Sequence, residues 1–312
     1  MDEPYDLMII GGGPAGLTAA VYASILRMKA FLITHDLGGQ ALDGKKISNY
    51  MGFDFITGPE LIEKFQSQLL EHHYIDHHIG TVTGLEKRDG RFRASTDYGR
   101  NSEAAAVLIA TGMHRRRLNI PGEEAFQRRG IFYRLVQDAS MIAGTDVTVV
   151  GGGNSGLQAV YELSGLAKTV HLVSDFPLVG DPEQVQHLKN LGNLIEHIGF
   201  TVSEIRGDER VASVVIESLD SSKRKNLSVS AVFVEIGLLP NSGFVSHLVK
   251  LNERGEIMIG PDCTTSCPGI FAAGDVTDAF GKRIIIASGE GAKAALAARE
   301  YILANRNPVK NN

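Results

Sequence analysis

The chain has 312 residues, 43% hydrophobic and 21% charged, with a formal net charge of −5. That length and balance suit about two globular domains, each with room for a sizeable core. The acidic balance argues against a nucleic-acid partner, and no apolar stretch is long enough to span a bilayer. Met1-Asp2-Glu3-Pro4 lacks the basic start and apolar run of a signal peptide, and two cysteines, Cys263 and Cys267, cannot make a disulfide framework. A cytoplasmic protein with no membrane association is the expectation.

In chain order, Leu7-Met8-Ile9-Ile10 is a short apolar strand running into Gly11-Gly12-Gly13-Pro14-Ala15-Gly16, and Leu17 to Met28 reads as a helix. A G-x-G-x-x-G run between strand and helix lets N–H groups at the helix N-terminus face a pyrophosphate. The first glycine allows the tight turn, the second lets phosphate approach the backbone, and the third lets helix and strand pack. His72-His73 and His77-His78 straddle a predicted helix end and strand start. They are either metal ligands or isolated surface histidines; no cysteine or carboxylate set completes a site, so no metal is assigned. Ala105 to Gly112 is a buried-strand pattern ending in a small-residue turn, and it closes the first half-domain.

The chain then crosses at Met113 to Gly122, passing Arg115-Arg116-Arg117, and reaches a second finger. Val147-Thr148-Val149-Val150 leads into Gly151-Gly152-Gly153-Asn154-Ser155-Gly156 and a helix to Leu166. A single finger is weak, because glycine-rich turns also serve steric ends; two in matching context point to nucleotides. Strands continue to about Gly237, and the chain crosses back near Pro240-Asn241. Gly269 to Asp275 is a strand ending in Gly-Asp, Ile284 to Leu303 is a last helix, and Asn305 to Asn312 reads as a frayed tail. This order predicts an α/β fold of two Rossmann-like, three-layer nucleotide-binding domains, the second inserted into the first. The expected segments are 1–113 with 243–312, and 114–242 as the insert.

These motifs, together with Gly38-Gly39-Gln40, Asn49-Tyr50, Ile120-Pro121-Gly122-Glu123, Ile236 to Asn241 and Ile285 to Gly291, resemble the low-molecular-weight thioredoxin reductase group over roughly residues 5–304. The likeness is strongest to the C-terminal part of the flavoprotein component of alkyl hydroperoxide reductase. It implies an FAD-binding domain in 1–113 and 243–312, with the pyrophosphate on Gly11, Gly13, Pro14, Ala15 and Gly16. Asp275, after Gly274, would accept hydrogen bonds from ribityl or phosphate-side hydroxyls. Gly39, Gln40 and Asn49 would line the isoalloxazine, with Thr34, Val82, Thr111, Gly112 and Ile284 as further cofactor contacts. The helix starting near Ile285 would direct its positive end at the flavin N1/C2=O edge. Arg283 stands where the family usually has glutamine, and it either stabilises the anionic reduced flavin or pairs with phosphate or a surface carboxylate.

The resemblance also exposes an absence. In the family, the segment here reading Gly130 to Asp138 carries a redox-active C-x-x-C pair followed by aspartate. Here Arg134 and Gln137 replace the cysteines and only Asp138 remains, so no catalytic residue is assigned. Cys263 and Cys267 are either a substitute redox pair or, as the segment's place in the family implies, remote from the flavin ring.

For the insert domain the resemblance implies a pyridine nucleotide on Gly151, Gly153, Asn154, Ser155 and Gly156. Ser174-Asp175-Phe176 stands where NADPH-dependent members carry a basic run, which favours NADH over NADPH if Asp175 receives ribose hydroxyls. Alternatively Asp175 is a solvated loop carboxylate in a degenerate pocket, since some relatives take electrons from ferredoxin. Arg115-Arg116-Arg117 is either a solvated hinge run or a dock for an acidic redox protein. Three readings follow. One is an oxidoreductase passing electrons from NADH through FAD to an unnamed acceptor. Another is an electron-transfer flavoprotein served by ferredoxin or flavodoxin, with a second flavin or dinucleotide in the insert. The third is a non-catalytic redox-sensing flavoprotein. The resemblance also implies a homodimer formed through the FAD-binding domain.

Overall fold

The computed structural model describes residues 4–44, 46–71, 75–99, 101–133 and 142–306. The chain divides into two compact units, one through His114 and again from Leu239, the other from Arg115 to Leu238. In chain order the elements begin β1 (Tyr5–Ile10), α1 (Pro14–Ile25), β2 (Ala30–Thr34), α2 (Gly58–Leu70), β3 (Ile75–Ile79), β4 (Val82–Arg88), β5 (Arg91–Thr96), β6 (Asn101–Ile109) and the crossover strand β7 (Met113–Arg115). Then come β8 (Ile131–Phe132), β9 (Asp146–Val150), α3 (Asn154–Ser164), β10 (Thr169–Ser174), α4 (Pro182–Leu188), β11 (Leu194–Ile198), β12 (Phe200–Gly207), β13 (Val211–Ser218), β14 (Arg224–Ser228) and β15 (Ala231–Val234). The chain returns through β16 (Leu238–Pro240) and ends with β17 (Ile270–Ala272) and α5 (Ile284–Arg306).

Both units are α/β with a parallel sheet at the centre, as expected. In the first unit the order is β3-β2-β1-β6, with β5 and β4 continuing antiparallel and β17 also laid on β6. β6 divides its outer edge between two partners. Asn101 to Ala104 pairs with β5, and Val107 to Ile109 pairs in parallel with β17. Its burial changes at the same place, from alternating to continuous, because parallel strands are covered on both faces. β1 shows the same consequence: Leu7 and Ile9 face α1 and α5, while Met8 and Ile10 join Phe31, Phe92, Val245 and Ile257 on the other face.

α1 begins at Pro14 and ends at Ile25, not at the expected Leu17 and Met28. Proline is preorganised for the first helical position, and Arg27, at φ +55°, stops the helix early. α2 opens with a capping box in which Thr57 and Glu60 exchange side-chain and backbone bonds.

The second unit has the parallel order β11-β10-β9-β15-β8, with the antiparallel β12-β13-β14 as a further layer. α3 and α4 cover one face through Leu157, Val160, Leu163 and Leu188; the other face, with Val150, Val173 and Val232, meets Val202, Val214 and Ile216 of the meander. Inside this unit, His171 Nδ1 lies 3.1 Å from His197 Nε2 with the rings stacked, and Phe200 meets His197 edge-on. Burial first, then the neighbouring His171 and Lys225, pushes the His197 imidazole down to about 4.

Candidate functional site

The first unit's candidate site begins at the C-terminal end of β1. Gly11 takes φ +114°, and a Cβ there would run into the carbonyl of Ala110. A Cβ on Gly16 would strike the carbonyl of Gly11. Gly13 is different: nothing of the chain lies within 4 Å of where its Cβ would stand. Gly13 is the N-cap of α1 and Pro14 its first residue, so the free N–H groups of Ala15 and Gly16 lack intrahelical acceptors. The sequence thus leaves a side chain out at Gly13 without any internal crowding to explain it. A helix N-terminus with free N–H groups is the kind of place that receives an anion.

Other segments converge on this finger. Thr34, buried at the end of β2, donates to Asp36 O, and a Cβ on Gly12 would lie 2.6 Å from its hydroxyl. Gly38 N–H donates to Gly12 O at 2.8 Å, and a Cβ on Gly39 would stand 3.4 Å from Gly13 Cα. Asp36 fixes that loop by accepting from Gly39 N–H at 2.7 Å. Gln40 donates to Met113 O at 2.8 Å. After β6, Thr111 donates to Asn241 O and the Asn241 amide donates back to Thr111 O, while Gly112 has φ +62°. On the other side, a Cβ on Gly274 would be 3.1 Å from the Ala15 side chain. Asp275 is half-buried and has no hydrogen bond to any other described residue. Burial pushes its carboxyl above the ordinary range, against the pull of Lys282 and Arg283.

The remaining predicted contacts are spread more widely. Ile284 starts α5 and packs on the cluster Ile47, Ile56 and Leu61 that Tyr50 also touches, beside exposed Asn49. Arg283 is exposed and donates to Lys282 O at 3.1 Å. Val82 is buried in β4 within the core layer on the far face of the sheet.

The second unit repeats the finger. Gly151 takes φ +123° against the carbonyl of Glu235, Gly156 closes on Gly151 O, and the position of a Cβ on Gly153 is again open. Ser174 repeats Thr34: its hydroxyl donates to Phe176 O at 2.7 Å and lies 2.5 Å from where a Cβ on Gly152 would be. Val179 N–H donates to Gly152 O at 3.1 Å, and Asn154 Oδ1 accepts from Asp181 N–H at 2.8 Å. Ser155 and Asp175 are exposed at this end. Where the first unit has Ala110, this one has the carboxylate Glu235, which pairs with Arg115 at 3.3 Å. Burial raises the Glu235 carboxyl and Arg115 opposes it. Arg115 is therefore tied within its own unit, leaving Arg116 and Arg117 exposed.

Arg134, Gln137, Asp138, His72 and His73 lie outside the described residues. His77 and His78 are in β3, where the His78 ring packs against Phe31 and Tyr98. No group of three His, Cys, Asp or Glu among the described residues could hold a metal ion. Cys263 is buried in the core layer beneath α1 and α5, and burial pushes its thiol up to about 11. Cys267 packs on the opposite layer, and both are free. The two thiols are thus unpaired and pack against different core clusters.

Sequence reading passed over Asp36 and Glu235, and it met Asn241 and Glu290 only inside longer motifs, without a role of their own. Asp36 had a signal, an Asp-x-Gly-Gly run that favours a side-chain-closed turn. Glu290 had a fainter one, a carboxylate among Ala, Gly and Ile on a long helix. The pairings of Asn241 and Glu235 join distant parts of the chain and had none.

A family model described as pyridine nucleotide-disulphide oxidoreductase matches residues 5–299. The F component of alkyl hydroperoxide reductase of Staphylococcus epidermidis is 38% identical over 309 residues, covering 97% of this chain and 60% of the relative. The chain thus spans about 60% of the length of that relative. Among solved structures, thioredoxin reductase of Lactococcus lactis superposes with a TM-score of 0.80 at 32% identity, covering 96% of this chain and 99% of the other. Thioredoxin reductase of T. acidophilum gives 0.77 at 31% identity with the same coverage. Two parallel-sheet nucleotide-binding domains are the fold these structures share with the chain.

Proposed function

The chain belongs to the pyridine nucleotide-disulphide oxidoreductase family, and on that premise we propose that it is an FAD-containing oxidoreductase of thioredoxin-reductase type lacking the active-site dithiol. It takes electrons from NADH, less readily from NADPH, and passes them to an acceptor without a protein disulfide in between. The observation that carries this reading is the pair of open fingers at Gly13 and Gly153, each flanked by glycines that the fold itself requires.

The groups present fit FAD in the first unit: a helix N-terminus with free N–H donors, a half-buried carboxylate acceptor at Asp275, and the N-terminal end of α5. Bound there, FAD supplies hydride acceptance and one- or two-electron release. The chain's share is positional. Gly13 to Gly16 hold pyrophosphate, Asp275 receives sugar hydroxyls, Asp36 keeps the Gly38–Gly39 loop against the finger, and Thr111 with Asn241 fixes the turn after β6. In the second unit Asp175 accepts ribose hydroxyls and repels a 2′-phosphate. With Arg134 and Gln137 in place of cysteines, no thiol takes part. The first unit is also the proposed homodimer surface, and the location is the cytoplasm.

One observation favours a second reading, in which ferredoxin or flavodoxin is the donor and the second finger holds another dinucleotide or flavin. The Asn154 side-chain oxygen in the second finger is already engaged, accepting from Asp181 N–H at 2.8 Å. Anaerobic titration separates the two. Bleaching of bound FAD by NADH, more efficiently than by NADPH, supports the first reading. No bleaching by either nucleotide, with bleaching by reduced ferredoxin, overturns it in favour of the second.

A further inference from the structure

The parallel ladder between β17 and β6 ends at Ala273, whose N–H donates to Ile109 O at 2.9 Å. The next N–H, that of Gly274, has no ladder acceptor, and a buried amide without one is costly. Glu290 supplies it from α5: its Oε2 accepts from Gly274 N–H at 2.7 Å. Gly274 is held at φ +78° between Ala15 and Ala287, and a Cβ on Gly291, the residue after Glu290, would strike Ala15 O. One carboxylate therefore ties the Gly274–Asp275 turn to α5, at the level where Gly274 and Gly291 come close to Ala15 of α1. It does so on a helix whose buried neighbours are Ala287, Ser288, Gly291 and Ala294. Packing gives no reason for a carboxylate at this position. The unsatisfied amide does.

We propose that Glu290 is a positioning residue of the flavin site, fixing the Gly274–Asp275 turn so that Asp275 is presented beside the first finger. This rests on the FAD reading of the first unit. Burial pushes the Glu290 carboxyl up, the Gly274 N–H and Lys282 and Lys293 pull it down, and Asp275 adds to the rise.

The full chain is stripped of flavin and titrated with FAD, following flavin fluorescence, alongside thermal melting of each apoprotein. Glu290→Ala is expected to weaken FAD binding at least tenfold. Glu290→Gln, which keeps an oxygen acceptor, stays within about threefold of wild type. Glu290→Asp, one methylene short of Gly274, falls between them and decides the matter should the alanine variant not fold. Asp275→Ala weakens binding as well, and adding Glu290→Ala to it costs little more, because both act through one turn. Wild-type affinity in folded Glu290→Ala or Glu290→Asp, or full additivity with Asp275→Ala, overturns the inference alone. A wild-type chain that takes up no FAD overturns the flavin reading and this inference together.

Discussion

The two units build the same cradle from different rims. In each, the first glycine turns back against a strand-end carbonyl, the third closes on the first, and the middle one is open. In each, a strand-end hydroxyl, Thr34 or Ser174, donates to the carbonyl two residues on. The rims differ. The first has Ala110, the Asp36-anchored glycine loop, and Gly274–Asp275 held by Glu290. The second has Glu235 paired with Arg115, and Asp175 exposed. The backbone geometry is repeated, while the charge and size of the groups at the strand ends are where the two units differ.

The strongest way to break the comparison is through the third glycines. Gly16→Ala and Gly156→Ala each force a Cβ into a backbone carbonyl, with no flexible side chain to yield. Each is expected to cost on the order of 3 kcal/mol, read by urea denaturation. The costs should add, since the sites lie in separate units. A loss below about 1 kcal/mol in either would show that its finger is not built as described.

The units also differ in their response to acid. His197 has a folded pKa of about 4, below the ordinary 6.5, and His171 is lowered too, chiefly by burial. Between those values the unfolded chain binds more protons. The second unit's stability is therefore full above about pH 6.5 and declines as pH falls towards 4, by on the order of 2–3 kcal/mol. His197→Leu should remove most of this slope in denaturation curves taken across that range. An unchanged slope would place the acid sensitivity elsewhere.

A sharper comparison comes from the middle glycines. Gly13→Ala and Gly153→Ala meet no chain atom, so stability should change by less than about 1 kcal/mol. Ligand affinity should fall about tenfold to a hundredfold, for FAD with Gly13→Ala and for NADH with Gly153→Ala. Titration of folded variants checks this, and unchanged affinity would mean that the open space holds no phosphate. The smallest expected effect is at the second rim: Asp175→Arg should narrow the NADH preference about tenfold in flavin-reduction kinetics. A preference that does not move would remove Asp175 from the pocket.

Much of the architecture was legible. Runs such as the apolar Leu7 to Ile10 and the β-branched Val147-Thr148-Val149-Val150 mark strands covered on both faces, and the glycine runs mark where they turn into helices. The start of α1 was misjudged because apolar periodicity begins at Leu17, whereas the helix is nucleated by Pro14. The fate of Cys263 and Cys267 was not legible either. Three intervening residues place two thiols close in sequence, and only the sheet puts them in opposite core layers.

By itself, then, the sequence determined the α/β class and the two glycine fingers, and it places Arg and Gln at positions 134 and 137. These are local properties, written in spacing and in residue type. Tertiary structure alone decided which glycines are required by the fold and which are left open. It also decided that Glu235 is neutralised by Arg115 and that Glu290 completes the turn before Asp275. Each of those depends on a group far away in the chain, brought within hydrogen-bond reach by packing of the sheets, and no local pattern encodes the distance.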